Sequence, residues 1–181
     1  YGENPQRVAR LGIVYSKGLE AGRVLSVTKY LPGYGDTSTD SHKVSPVINY
    51  SRERLNADEI YPFKEYINAK LGGVMIGHLN IPALDKTGSP SSLSKPIVTN
   101  LLQDELGFSG LIFTDGLAMK GVSDQKDMAV KILQAGNDIL LGPISPTKEY
   151  KALQEAVKNG TISESLIDER CKKILEYKYI L

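Results

Sequence analysis

The chain has 181 residues, of which 41% are hydrophobic and 24% charged, a composition typical of one folded globular domain. Its 22 Lys and Arg nearly balance its 21 Asp and Glu for a net charge of +1, and no basic run stands out, so nucleic acid has no electrostatic attraction to it. No apolar run approaches the roughly 20 residues that cross a bilayer, and the single cysteine, Cys171, excludes an internal disulfide and is expected to be a small packed thiol on a helix.

The sequence predicts that helices and strands alternate in the first half of the chain. The pair Asn4-Pro5 predicts an N-cap and a first helical residue, and this helix ends near Gly22. A β-branched run predicts a strand over Val24–Lys29. A second helix is predicted to begin near Asn56, and a short apolar strand follows over Val74–His78.

The second half repeats this alternation. Further helices are predicted to begin near Ser94, Asp127, Ser145 and Ser163, and further strands cover Leu111–Thr114 and Ile139–Leu141. About four short apolar strands thus alternate with helices, which predicts an α/β fold of parallel β/α units with buried strands.

Three polar residues follow or end the first three predicted strands. Lys29, His78 and Asp115 each stand at such a position. Because ligands of β/α folds gather at the carboxyl ends of parallel strands, we expect these side chains to share one rim of the sheet.

A long Gly-rich loop follows the first strand and carries a carboxylate close to a histidine. Asp40 precedes His42, one of the chain's two histidines, by two residues. A nearby carboxylate favours the imidazolium and orients the ring, so this pair can carry a proton near neutral pH. The alternative is an ordinary solvated loop in which Asp40 caps backbone N–H groups.

Asp115 admits three interpretations from its position: a nucleophile, a metal ligand or an N-cap of the next helix. A metal is disfavoured because no second carboxylate or histidine stands at ligand spacing, and we predict no cofactor. A phosphoacceptor Asp-x-Asp motif is also lacking, since Leu117 occupies the second position. For His78 the alternative to a site residue is a satisfied core histidine, and for Lys29 it is a solvated side chain.

Three segments resemble one known family in order and content. Residues 29–46 resemble its Lys-His-Phe-Pro-Gly-His-Gly-Asp-Thr…Asp-Ser-His signature, residues 74–85 its Met-x-x-His…Pro-x-Leu-Asp strand and loop, and residues 113–119 its Asp-x-Leu-x-Met nucleophile segment. The chain therefore resembles glycoside hydrolase family 3, in its β-N-acetylhexosaminidase branch.

The resemblance implies a (β/α)₈ barrel, of which about four strands are present. We expect residues 1–181 to form the C-terminal half of that barrel domain, because four β/α units leave two edge strands open. The N-terminal half is then expected outside this chain as given, or on a second chain as a partner.

The resemblance also implies roles for named residues. Asp115 is the expected nucleophile that forms a covalent glycosyl-enzyme, and His42 is the general acid/base, tuned by Asp40. The residues expected at the sugar are Lys29, Tyr30, His78, Gly35 and Met119. Tyr30 and Tyr34 stand where the family usually has histidine, which changes the hydrogen bonds offered to a sugar.

The function implied is retaining hydrolysis of terminal β-linked N-acetylhexosamine, N-acetylglucosamine above all, from cell-wall or chitin-type sugars. Phosphorolysis by the same family and a non-catalytic sugar-binding relative or inactive fragment stay open as alternatives, and an unrelated α/β phosphotransfer module is disfavoured by the missing second Asp. The expected partner is a small carbohydrate, with no nucleic acid and no membrane segment. The compartment stays open between the cytoplasm and the periplasm of a bacterium.

Overall fold

The computed structural model describes residues 1–37 and 45–180, and within these ranges the chain forms a three-stranded parallel sheet. The strands β1 (Val27–Leu31), β2 (Gly73–Ile76) and β3 (Leu111–Thr114) lie in the order β1-β2-β3. Because each strand is followed by at least one helix before the next begins, the predicted α/β class with parallel strands is confirmed.

The predicted fourth strand is reduced to a single bridge. Ile139 pairs with Phe113 in the parallel sense, and its N–H donates to the carbonyl of Ile112 at 3.0 Å. The N–H of Thr114 donates back to the carbonyl of Ile139 at 3.0 Å, but the N–H of Leu141 donates to the Thr114 hydroxyl at 3.0 Å and not to a strand carbonyl. Ile139–Leu141 therefore follows the edge of β3 without forming a regular ladder.

Helices connect and follow the strands. Their bounds are α1 (Pro5–Ala21), α2 (Arg52–Ala57), α3 (Tyr61–Asn68), a 3₁₀ turn (Ser91–Leu93), a π-helix (Pro96–Glu105), α4 (Lys120–Ser123), α5 (Met128–Ala135), α6 (Pro146–Lys158) and α7 (Glu164–Ile180). The predicted helix near Asn56 is thus two helices, and α4 was not predicted. The first strand begins at Val27 rather than Val24 and continues past Lys29.

One face of the sheet is covered by helices. Val74, Ile76 and Ile112 are fully buried and pack in one cluster with side chains of α3 and the π-helix. The opposite face carries Met75 opposite Phe113, both only half-buried. Burial on one face alone fixes the register, because a shift by one residue would turn these apolar side chains away from the helices.

The last helix is tied to the sheet by charge. The buried carboxylate of Asp138 accepts from the N–H of Ile112 at 2.8 Å, from Arg170 at 3.1 Å and from Lys173 at 2.7 Å. The same helix leaves Cys171 exposed, so the prediction of a packed thiol is wrong. Its apolar residues Leu166 and Ile167 pack against a cluster formed by α5 and α6, and the ion cluster supplies its contact with the sheet.

Candidate active site

Asp115 directly follows β3 and is held by backbone hydrogen bonds. Its N–H donates to the carbonyl of Ile76 at 2.9 Å, which extends the pairing of β2 and β3 by one residue. Its Oδ1 accepts from the N–H of Gly116 at 2.8 Å, and the residue is half-buried. The first residue flanking α4 is Met119, so the carboxylate does not serve as the cap of that helix.

Lys29 lies inside β1 rather than at its end, and it is exposed. Its Nζ stands 4.9 Å from the centroid of the Tyr30 ring. The contact with Tyr30 raises the pKa of Lys29, burial lowers it by less, and the charge of Asp115 makes the smallest contribution, which raises it. Lys29 thus senses the charge of the Asp115 carboxylate, although its main partner is Tyr30.

Two tyrosines pack above the end of β2. The rings of Tyr30 and Tyr34 meet edge to face, with centroids 5.5 Å apart and planes at 75°. A Cβ at Gly77 would come within 3.3 Å of Tyr30 and 3.6 Å of Tyr34, so the absence of a side chain there admits the pair. These aromatic side chains form one wall beside Lys29.

The first part of the Gly-rich loop rests on residues that the sequence patterns did not single out. Gly35 has φ +58°, and a Cβ there would lie 2.7 Å from the Tyr50 ring. A Cβ at Gly33 would lie 2.7 Å from the Cβ of Glu59. The two glycines were the available signal, because glycine marks close approach of the backbone to another group. Asp40 and His42 lie outside the described residues.

His78 is fully buried, and both ring nitrogens have protein partners. Nδ1 lies 2.7 Å from the Ser92 hydroxyl, and Nε2 lies 3.2 Å from the carbonyl oxygen of Gly116. Burial lowers the pKa of His78, although the Gly116 carbonyl and Asp115 act in the opposite direction. Both ring nitrogens of His78 are thus bonded within the protein, as in the alternative of a satisfied core histidine, and the sugar contact that the resemblance implies stays a prediction.

Met119 lies on the turn that follows Asp115. Its N–H donates to the carbonyl of Gly116 at 3.2 Å, and its side chain is half-buried. Within residues 1–37 and 45–180, no three His, Cys, Asp or Glu side chains converge as a metal site would require. No helix in the same ranges combines the length and apolar character needed to cross a membrane.

The fold and the site together define a β/α unit of the barrel type with a carboxylate at a strand end, flanked by a lysine and aromatic side chains. The model of the glycosyl hydrolase family 3 N terminal domain matches residues 1–177. The chain belongs to this family, and the resemblance found in the sequence is confirmed.

The chain is similar to two proteins named as hexosaminidases or N-acetylglucosaminidases and to one named as a phosphorylase. It is 38% identical to the beta-hexosaminidase A of Pseudoalteromonas piscicida over 98% of its length and 34% of the relative's. It superposes with a TM-score of 0.94 and 35% identity on a glycoside hydrolase family 3 beta-N-acetylglucosaminidase from Paenibacillus sp. str. FPU-7, over 99% of this chain and 35% of that one. The beta-glucoside phosphorylase BglX superposes equally well, with a TM-score of 0.94 and 29% identity over 99% of this chain and 35% of that one.

The chain thus spans about a third of the length of these proteins. The superposition over nearly the whole chain confirms the predicted barrel-type α/β fold class.

Proposed function

We propose that the chain carries the nucleophile and the acid/base loop of a retaining β-N-acetylhexosaminidase, which removes terminal β-linked N-acetylglucosamine. The observation that carries this proposal is Asp115, half-buried after β3 with Oδ1 fixed by the N–H of Gly116 and with Lys29 in electrostatic range. The similarity to a beta-hexosaminidase and to a beta-N-acetylglucosaminidase supports this choice of sugar.

In this mechanism Asp115 attacks the anomeric carbon and forms a glycosyl-enzyme. His42, tuned by Asp40, donates a proton to the leaving oxygen and then takes one from the water that hydrolyses the intermediate. A histidine replaces the second carboxylate of the usual retaining pair, and the same group serves as acid and then as base. Because both the attack of Asp115 and the attack of water occur at the anomeric carbon, the sugar is released with its original anomeric configuration.

Other residues bind the sugar in this proposal. Lys29 donates hydrogen bonds to sugar hydroxyls, since an ammonium group carries three donors. Tyr30 contributes its ring and hydroxyl, and Gly35 and Met119 line the site from the loop and from the turn after Asp115. The close contact of Lys29 with the Tyr30 ring supports placing the two in one subsite.

We further propose that residues 1–181 supply the C-terminal half of a (β/α)₈ barrel. The half-buried face with Met75 and Phe113 is then the barrel interior, to be covered by strands that lie outside residues 1–181. A three-stranded sheet cannot close on itself, and the matching Paenibacillus structure is about three times as long as this chain. The assays below therefore use the complete enzyme, meaning the chain together with the remaining strands.

The test is Asp115→Asn, assayed for chromophore release from an aryl β-N-acetylglucosaminide. Removing the nucleophilic charge with almost no change of shape is expected to lower kcat by about 1,000-fold or more. Asp124→Asn is the matched control, because Asp124 is an exposed residue at the end of α4 and is expected to keep full activity. Wild-type turnover by the Asp115→Asn variant contradicts the nucleophile assignment, and sugar binding without any turnover in the wild type favours a non-catalytic relative.

Phosphorolysis is the second candidate, favoured by the similarity to a beta-glucoside phosphorylase. A neutral histidine as acid/base tolerates an anionic phosphate better than a carboxylate would. Comparing sugar release with and without inorganic phosphate separates the two reactions: formation of a sugar 1-phosphate identifies a phosphorylase, and a rate that is independent of phosphate identifies a hydrolase.

A further inference from the structure

A network of hydrogen-bonded polar groups leads to Asp115, and the mechanism proposed above does not use it. It links His78, Ser92 and Gly116, which come from the end of β2, the 3₁₀ turn and the residue after the nucleophile. His78 and Ser92 are both 0% exposed, so each polar atom must find its partner inside the protein. The contacts therefore have one consistent arrangement of hydrogens.

The carbonyl of Gly116 fixes that arrangement. A carbonyl oxygen only accepts, so Nε2 of His78, 3.2 Å away, carries the proton. Burial lowers the pKa of His78 and so favours the neutral ring, which in this tautomer has a lone pair on Nδ1. The Ser92 hydroxyl, 2.7 Å from Nδ1, must then donate to it. Ser92 thus selects the tautomer of His78 that binds Gly116.

Gly116 in turn holds the nucleophile. Its N–H donates to Oδ1 of Asp115 at 2.8 Å, while its carbonyl accepts from His78 and from the N–H of Met119 at 3.2 Å. A Cβ on Gly116 would meet nothing within 4 Å, so the space on that side of the residue is open. The hydrogen bonds to its backbone are therefore what sets the direction of the Asp115 carboxylate.

The hydrogen-bond network is also anchored at its other end, at Ser92. The side-chain amide of Asn137, itself 0% exposed, donates to the carbonyl of Ser92 at 2.8 Å and to that of Ile132 at 2.9 Å. This double contact joins the 3₁₀ turn to the end of α5. Ser92 consequently has a fixed backbone from which its hydroxyl meets His78.

We propose that Ser92 and His78 are positioning residues that aim the Asp115 carboxylate through the backbone of Gly116. The inference rests on the proposed role of Asp115 as nucleophile. Ser92 holds the imidazole in the Nε2–H form, the imidazole holds the Gly116 carbonyl, and the adjoining N–H holds Oδ1. Loss of the first contact lets Gly116 turn, and the carboxylate leaves the line of attack on the anomeric carbon.

The experiment compares Ser92→Ala with Ser91→Ala in the complete enzyme. Ser91 is an ideal control because it lies on the same turn, is also 0% exposed and also donates one buried hydrogen bond, to the carbonyl of Leu79 at 2.7 Å. Both variants are expected to lower Tm by similar amounts. Only Ser92→Ala is expected to lower kcat, by about tenfold or more with little change in KM, because small misplacements of a reacting group are costly.

A second measurement needs no activity. In ¹⁵N-histidine NMR of the complete enzyme, the set of ring signals that is lost in His78→Gln assigns His78. We expect a neutral Nε2–H ring at pH 7 with a hydrogen-bonded Nδ1, and a shift of the Nδ1 signal in Ser92→Ala but not in Ser91→Ala. A protonated Nδ1 in the wild type overturns the inference even if Ser92→Ala does not fold.

The outcomes separate this inference from the function on which it rests. Turnover that survives Asp115→Asn shows that the proposed nucleophile is wrong. If Asp115→Asn is inactive while Ser92→Ala and Ser91→Ala have equal kcat values, the nucleophile stands and only the positioning inference fails.

Discussion

The glycine at the root of the long loop gives a quantitative test of how that loop is supported. Gly35→Ala adds one methyl group at a position with φ +58°, where the new Cβ would lie 2.7 Å from Cε2 and 3.1 Å from the hydroxyl oxygen of Tyr50. Gly160→Ala is a matched control, since Gly160 has φ +76° but nothing within 4 Å of its Cβ position. The two substitutions share the backbone penalty and differ in the clash.

The backbone term is about 1–2 kcal/mol for a non-glycine residue in the left-handed region. Both variants carry it, so Gly160→Ala is expected to lose about that much unfolding free energy. Gly35→Ala is expected to lose about 1–3 kcal/mol more, because a contact of 2.7 Å forces the ring or the loop to move. A displaced loop root also misplaces the segment that leads to His42, so kcat/KM is expected to fall by about tenfold.

Thermal unfolding and hydrolysis of an aryl β-N-acetylglucosaminide measure the two effects. Adding Tyr50→Ala to Gly35→Ala removes the ring that the methyl group meets, and the double variant is expected to recover most of the extra loss, which is the signature of direct coupling. Equal Tm and equal kcat/KM for Gly35→Ala and Gly160→Ala would refute the claim that Tyr50 supports the loop.

Two further predictions concern stability. Because burial lowers the pKa of His78 below the value of about 6.5 that it has in the unfolded chain, the unfolded state binds more protons below that pH. The contribution of His78 to the unfolding free energy should therefore be unimpaired above about pH 7. It should fall by up to about 1.4 kcal/mol per pH unit as the pH drops from 6.5 towards the pKa of His78 in the folded state. Urea titrations at several pH values should show this slope in the wild type, and an unchanged slope in His78→Gln would exclude His78 as its source. Lys173→Met removes the 2.7 Å contact to buried Asp138 and should cost about 1.5–3 kcal/mol. Lys172→Met, on a side chain 78% exposed, should cost less than about 1 kcal/mol in the same assay, and equal losses would argue against the cluster.

The helix ends that the sequence predicted well are those whose caps bind nearby backbone. Asn4 accepts from the N–H of Arg7 at 2.8 Å, and Ser163 accepts from that of Leu166 at 3.2 Å. Such contacts span three residues, so the local sequence contains both partners. The helix predicted to begin near Ser94 begins at Pro96, but the Ser94 side chain does not cap it: its hydroxyl donates to Asp85, nine residues away, at 2.6 Å.

Asp85 illustrates how such a distant contact is stabilised. Burial would raise the pKa of Asp85, but hydrogen bonds from Ser94 and Thr87 outweigh burial and lower it. The ionised carboxylate therefore joins the loop after β2 to the start of the π-helix. The local sequence marks Ser94 as a candidate helix cap, but the structure is needed to show that its hydroxyl donates to Asp85.

The site was predictable in its positions and less so in its contacts. Parallel strands end at a common edge, and this rule predicts that Asp115 and His78 lie near each other, whereas Lys29 lies inside β1. The partners of His78 come from Ser92 and Gly116, which lie 14 and 38 residues away. No spacing in the sequence indicates those contacts, so the buried position of His78 emerged only from the structure.

The hydrogen-bond network that leads to Asp115 and the ion cluster of Asp138 lie at opposite ends of the strands, and we expect them to have different roles. Asp115 follows β3, where backbone ends and loops leave room for a ligand, whereas Asp138 binds the N–H of Ile112 near the start of β3. In β/α folds the carboxyl edge carries the chemistry and the amino edge carries stability. This division implies opposite signatures for two variants of buried groups: Lys173→Met should lower stability and spare kcat, while Ser92→Ala should lower kcat beyond what its loss of stability explains. A kcat that falls equally in both would mean that the edges are coupled through β3 rather than independent.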